Sequence, residues 1–164
     1  MIDLIVLDVD GCMTDGKIIY TSSGDELKSF NAKDGFAIVQ WLSLGKKVAI
    51  ITGRNSTIVD RRAKELGIEY CYQGVKDKLA TLTSLCNLLQ VSFKSVAAIG
   101  DDLNDTKLLK AVGISFAPAD ATHHVTELVD IVLSKNGGDG AVREMVEMLI
   151  KQEGLQKEYL SRWL

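Results

Sequence analysis

Hydrophobic positions along this chain form short continuous runs separated by longer amphipathic stretches. Residues 2–9 are almost wholly apolar and stop at acids. Residues 47–52 (K-V-A-I-I-T) and 95–100 (S-V-A-A-I-G) repeat that form, and residues 69–72, 114–117 and 131–133 are shorter examples. Runs of this kind predict strands covered on both faces. Between them, residues 34–44, 55–66, 76–89, 105–111, 122–128 and 140–153 carry helical periodicity. Several of these open near Asp, Asn or Ser and are followed by Gly45, Gly67, Gly113 or Gly154, as helix ends commonly are. Strand–helix alternation predicts an α/β fold: a three-layer, Rossmann-like, doubly wound parallel sheet with helices on both faces.

One segment interrupts the alternation. Residues 17–20 and 26–30 are strand-like and flank the turn cluster Thr21-Ser22-Ser23-Gly24-Asp25. This predicts a β-hairpin over 16–30, a flap directly after the first strand. Ligands of open α/β sheets bind at the carboxyl ends of strands, so a flap placed there can cover a site or reach a neighbouring subunit. The remaining length, 164 residues, suits one domain with no separate cap, with residues 154–164 as a C-terminal tail.

Composition narrows the functions available. The 19 basic and 22 acidic residues give a net charge of −3, leaving no basic surplus for a dedicated nucleic-acid binder. No apolar run approaches the roughly 20 residues of a membrane span, and the first residues show no secretory signal pattern. Three widely spaced cysteines, Cys12, Cys71 and Cys86, fit reduced thiols and a cytoplasmic location.

Chemistry concentrates where the strands end. The first run ends in Asp8-Val9-Asp10-Gly11, the second in Thr52-Gly53-Arg54, and a later one in Gly100-Asp101-Asp102-Leu103-Asn104-Asp105. Lys78 opens a helix after Gln73-Gly74-Val75-Lys76-Asp77. A parallel sheet gathers these ends at one edge. Carboxylates crowded there repel one another unless a cation sits among them, and hard oxygen donors favour Mg²⁺. A hydroxyl (Thr52) and an ammonium (Lys78) beside them suit a phosphoryl group. One carboxylate can attack phosphorus, and a second acid two residues on can give and take a proton.

The spaced set D-V-D-G, T-G-R, K and G-D-D-x-N-D resembles the haloacid dehalogenase superfamily of phosphatases. The fuller series D-V-D-G-x-x-T-D-G, F-N-x-K-D-G, T-G-R, Q-G-V-x-D-K, G-D-D-x-N-D and G-G-x-G-A-V-R-E is similar to its capless 3-deoxy-D-manno-octulosonate 8-phosphate phosphatases, to about Ile150. The resemblance implies a homotetramer with the hairpin in its contacts, acting on an eight-carbon keto-sugar-acid phosphate in lipopolysaccharide precursor synthesis. It implies Asp8 as nucleophile, Asp10 as acid/base, and Mg²⁺ on the Asp8 carboxylate, the Asp10 backbone carbonyl and Asp101. Thr52 and Lys78 would hold the phosphoryl group. Asp34, Arg54 and Arg62 are candidates for gripping the sugar acid, with Gly137 and Gly138 approaching a neighbour's site. Cys12-Met13 stand where the family has an aliphatic pair, Lys33 where arginine is common, and Ala37 where a second glycine is frequent.

Blander roles compete at several positions. Asp102 stands behind the ligands or caps a helix, and Asp105 is expected to orient the site by hydrogen bonding. Thr52 or Asn55 could cap the second helix. Cys12 reads as a small buried filler, Trp41 and Phe36 as core, and Trp163 as packed on a partner or disordered. Adjacent His123 and His124 do not share a helix face and are no metal pair. Three alternatives to the octulosonate phosphatase remain: a phosphatase of a related nonulosonate 9-phosphate, a phospho-accepting receiver domain, and an oligomerisation partner of a sugar nucleotide synthetase. Asp10 argues against a long-lived phospho-acceptor, because it supplies the base that would hydrolyse the intermediate.

Overall fold

A computed structural model describes residues 1–161 and 163–164; position 162, within the tail, lies outside the described residues. The chain runs β1 (Leu4–Leu7), β2 (Ile19–Tyr20), β3 (Glu26–Leu27), α1 (Ala32–Ser43), β4 (Lys47–Ile51), α2 (Thr57–Leu66), β5 (Tyr70–Tyr72) and α3 (Lys78–Leu89). It continues through β6 (Val96–Ile99), α4 (Thr106–Ala111), β7 (Ile114–Ala117), α5 (His123–Thr126), β8 (Ile131–Val132), α6 (Ala141–Gln152) and α7 (Gln156–Leu160). Six strands form one parallel sheet in the order β5-β4-β1-β6-β7-β8. The reversal of strand order beside β1 opens the crevice in which such sheets bind ligands.

Alternation along β1 divides the interior. Ile5 and Leu7 face one layer with Trp41 of α1 and Met145 of α6, while Leu4 and Val6 face the other with Leu82 and Leu85 of α3 and Leu109 of α4. All four strand side chains are buried, as expected for a sheet covered on both sides. Trp41 satisfies its indole by donating to the Lys47 carbonyl at 3.1 Å. Asn31 caps α1, accepting from the amides of Lys33 and Asp34. Among the described residues no helix is long and apolar enough to cross a membrane.

The strands are shorter than their apolar runs, because pairing stops where the chain turns into the loops that carry the polar ends. The hairpin is the extreme case. Only Ile19↔Leu27 and Tyr20↔Glu26 pair. Phe30, expected in the hairpin, leaves it to pack against the core, where the Arg62 guanidinium stands 5.5 Å from its ring centroid.

The tail also differs from expectation. It forms α7, buries Tyr159 against the core and returns Trp163 to α1. The Trp163 and Phe36 ring centroids are 5.1 Å apart, and the indole donates to Gln40 Oε1. Trp163 therefore packs on its own chain, and Phe36, half-exposed, is a surface platform for it rather than core.

Candidate active site

Parallel pairing of β1 with β4 and β6 places Asp8, Thr52 and Asp101 at one sheet edge. After β1 the chain makes a wide turn over Val9–Met13, with Gly11 at φ +94°. A Cβ on Gly11 would lie 2.1 Å from Asp101 Oδ2, so glycine is what lets Asp101 approach the Asp8–Asp10 loop. Asp8, Asp10, Thr52, Arg54 and Asp101 line one cleft of about 260 Å³, with Gly16, Gly53, Asp102 and Asn104 at its margins.

Asp8 joins the cleft to a buried charge cluster. Lys78, the first residue of α3, donates to Asp8 Oδ1 at 2.8 Å and to Asp105 Oδ1. All three side chains are buried. Asp105 in turn accepts from the amides of Asp101 (3.1 Å) and Asp102 (3.4 Å), which fixes the turn that aims Asp101. Asp102 accepts from the Leu103 amide at 2.7 Å and acts as the cap of that turn. Thr52 is buried with its backbone anchored at both ends, its amide on Tyr72 and its carbonyl on Val75.

Burial and mutual repulsion dominate the electrostatics. Desolvation, then the charge of Asp105, push Asp8 up to about 6 against the pull of Lys78. Desolvation, then Asp8 and Asp105, push Asp101 up to about 8. Burial works against the Lys78 ammonium, but Asp8 and Asp105 outweigh it and hold the group above the ordinary lysine value. These carboxylates lack enough positive charge to ionise freely, as expected where a divalent cation belongs. Carboxylate oxygens of Asp8 and Asp101 lie within 4.8 Å of one another and of Cys12 Sγ. Burial keeps the Cys12 thiol protonated, so the donors on offer are oxygen and the set fits Mg²⁺.

A second polar cluster covers the mouth of the cleft and comes from the hairpin. Lys28 donates to Asp10 Oδ1 and lies 3.4 Å from Glu26 Oε1, with its side chain only 1% exposed. Glu26 accepts from Ser56 Oγ at 2.7 Å and pairs with Arg54 at 3.4 Å. Arg54 also donates to Tyr20 Oη at 3.0 Å and stands 4.0 Å from Asp10 Oδ2. Lys28, Glu26, Tyr20 and Ser56 were not among the sequence-derived candidates. The available signal was the alternation Glu26-Leu27-Lys28, which puts both charges on the face opposite Leu27. Neither Thr52 nor Asn55 caps α2: the N-cap is Ser56, whose hydroxyl is taken by Glu26.

Four predicted substrate residues lie outside the cleft. Asp34 is buried and accepts from the Arg143 amide at 2.8 Å, capping α6 from outside because Gly140 at its N-cap has no side chain to do so. Arg62 packs beside Gly35 and pairs with Glu65 at 3.5 Å; it shares a shallow pocket with Phe36 and Trp163. Gly137 and Gly138 pack within the chain against the turn that follows β1. Gly138 donates to the Cys12 carbonyl at 3.0 Å, and a Cβ on Gly137 would be 1.8 Å from the Gly11 carbonyl oxygen.

A sheet-edge carboxylate pair beside a buried lysine and a third acid, on this topology, is the arrangement of a haloacid dehalogenase-like hydrolase, and the model of that family matches residues 71–145. The 3-deoxy-D-manno-octulosonate 8-phosphate phosphatase KdsC of Escherichia coli K12 is 42% identical over 153 residues, spanning 93% of this chain and 81% of the relative. The Moraxella catarrhalis phosphatase of that name, solved with a magnesium ion, a phosphate ion and a KDO molecule, superposes with a TM-score of 0.97 at 39% identity, covering 99% of this chain and 94% of the other. A cobalt-bound Haemophilus influenzae homologue superposes with a TM-score of 0.90 at 39% identity, covering 93% and 90%. The chain belongs to the 3-deoxy-D-manno-octulosonate 8-phosphate phosphatase family.

Proposed function

We propose that this protein is a Mg²⁺-dependent phosphatase that hydrolyses 3-deoxy-D-manno-octulosonate 8-phosphate to the free keto-sugar acid and phosphate. The observation that carries the reading is the buried Asp8–Lys78–Asp105 cluster opening into the same cleft as Asp10, Thr52 and Asp101. The named substrate of the relatives favours the eight-carbon acid over the nine-carbon one and over a partner domain of a synthetase.

Asp8 Oδ1 is held by Lys78, which leaves Oδ2 to attack phosphorus. As that bond forms, the bond from phosphorus to the sugar oxygen breaks, and Asp10 gives that oxygen its proton. Asp10 then takes a proton from water as it attacks the aspartyl-phosphate, releasing phosphate and restoring Asp8. Lys78 and the Thr52 hydroxyl face the phosphoryl oxygens. Asp8, Asp101 and the Asp10 carbonyl would hold Mg²⁺, which when bound neutralises phosphoryl charge and keeps Asp8 ionised. Of the residues proposed to grip the sugar acid, Arg54 lines the cleft; Arg62 would meet substrate only across a subunit contact.

The assembly we propose is a homotetramer of one-domain chains without a cap, working in the cytoplasm. Three free cysteines and the exposed apolar residues Ile18, Ile19 and Leu27 of the hairpin support this reading. The testing experiment is phosphate release from eight- and nine-carbon sugar-acid phosphates with Mg²⁺. A higher kcat/KM for the eight-carbon ester is expected, and a preference for the nine-carbon ester would reject the substrate assignment.

A further inference from the structure

We infer that Lys28 of the hairpin is a positioning residue for the acid/base Asp10, so that the flap sets the efficiency of proton transfer to the leaving oxygen. The inference rests on the proposed role of Asp10. Lys28 is a buried ammonium whose partners are two carboxylates, Asp10 and Glu26. A buried lysine needs such partners, and a side chain as long as lysine is seldom immobilised without them.

The geometry shows what the contact does. Asp10 follows a strand end on a turn that reaches Asp101, and its carboxylate is 18% exposed, with no backbone group among the described residues hydrogen-bonded to it. Lys28 engages Oδ1 and leaves Oδ2 turned toward the Arg54 side, where the cleft opens. One oxygen is thereby tethered by Lys28, and the other faces Arg54, which lines the cleft. Glu26 holds Lys28 from the other side and is itself tied to Ser56 at the start of α2 and to Arg54 after β4. The tether thus runs from the rigid α/β framework through the hairpin to the proton donor. A proton donor works only within hydrogen-bond reach of its acceptor, so loosening the carboxylate slows departure of a poor leaving group and spares a good one.

The test compares kcat/KM on two substrates, octulosonate 8-phosphate and p-nitrophenyl phosphate. This ratio reports the steps through leaving-group departure. In Lys28→Met the sugar phosphate should lose about ten- to a hundredfold and the aryl phosphate no more than about threefold. Lys28→Arg, which keeps the charge and the donors, should recover most of that loss, with elution volume unchanged throughout; the melting temperature falls in Lys28→Met, because Asp10 and Glu26 lose their shared cation, and returns with arginine. Equal losses on both substrates, no loss on either, or no recovery by arginine would each overturn the assignment. Should the methionine variant fail to fold, Lys28→Gln carries the same comparison. Asp10→Asn separates the two levels: if it shows no leaving-group dependence, the acid/base reading falls with the inference. If it does and Lys28→Met does not, only the inference falls.

Discussion

Two lysine–carboxylate clusters meet in this cleft and are built differently. The inner one, Asp8–Lys78–Asp105, joins the end of β1, the start of α3 and the turn before α4, and every side chain in it is buried. The outer one, Asp10–Lys28–Glu26–Arg54, hangs on a hairpin whose strands pair at only two positions. The inner cluster is therefore preorganised by the main core, whereas the outer one depends on how a marginal element docks. The division matches the proposed roles: the proposed nucleophile Asp8 sits in the buried cluster, and the proposed proton donor Asp10 sits in the one formed with the hairpin.

The sharpest blow to the inner cluster is Asp8→Asn. An amide is a poor nucleophile and a weaker ligand for Mg²⁺, so turnover should fall by at least about a thousandfold while the melting curve persists. More than a few per cent residual activity in purified variant would remove Asp8 from its role.

Metal removal tests the same cluster through its charge balance. Chelation should lower activity by about a hundredfold or more, with Mg²⁺ restoring it and Ca²⁺ a poor substitute because it prefers looser, higher coordination. Stability should follow pH as well. Asp8 and Asp101 rise in the folded chain to about 6 and about 8 from an ordinary value of 3.8. The folded, metal-free protein then binds more protons than the unfolded chain between those limits. The contribution of these two groups to stability is fully present below the ordinary carboxylate range and is lost as pH rises through their folded values. Protons also compete with Mg²⁺, so the thermal shift produced by a fixed Mg²⁺ concentration should be larger at about pH 8.5 than at about pH 5.5. A shift independent of pH would contradict the charge distribution drawn for the site.

The outer cluster yields to a change on the opposite side of the hairpin. Leu27 is half-exposed and pairs with Ile19, facing away from Glu26 and Lys28. Leu27→Glu should split the proposed tetramer into monomers by light scattering and cost between about tenfold and a hundredfold in kcat/KM, because a freed hairpin no longer holds the proposed proton donor. An unchanged kcat/KM in a monomer would show that the flap docks by its polar face alone. The smallest effect is expected far from both clusters: Trp163→Ala removes the contact with Phe36, costs about 1 kcal/mol and lowers the melting temperature by about 2–4 °C, with activity unchanged.

The order of strands and helices as far as α6, and the gathering of the polar strand ends at one sheet edge, were written in the sequence. Apolar runs ending in acids are local signals, and a parallel sheet must carry its strand ends to one edge, so Asp8, Asp10, Thr52 and Asp101 were legible without coordinates, whereas Lys78 was picked out only by its motif and Asp105 only as an orienting acid. Element ends were less so, because pairing stops where backbone groups find other partners, as when Ser56 gives its hydroxyl to Glu26 instead of capping α2. Only the tertiary structure decided what the docking of one element on another creates. Asp34 turned out to cap α6 across 109 residues of sequence. Gly137 and Gly138 pack on the turn after β1, Trp163 lies on α1, and Lys28 reaches Asp10 from a segment that read as a β-hairpin flap with apolar side chains. Such contacts depend on the angle at which helix, tail or hairpin meets the core, and that angle is set by the summed packing of many side chains rather than by any local run.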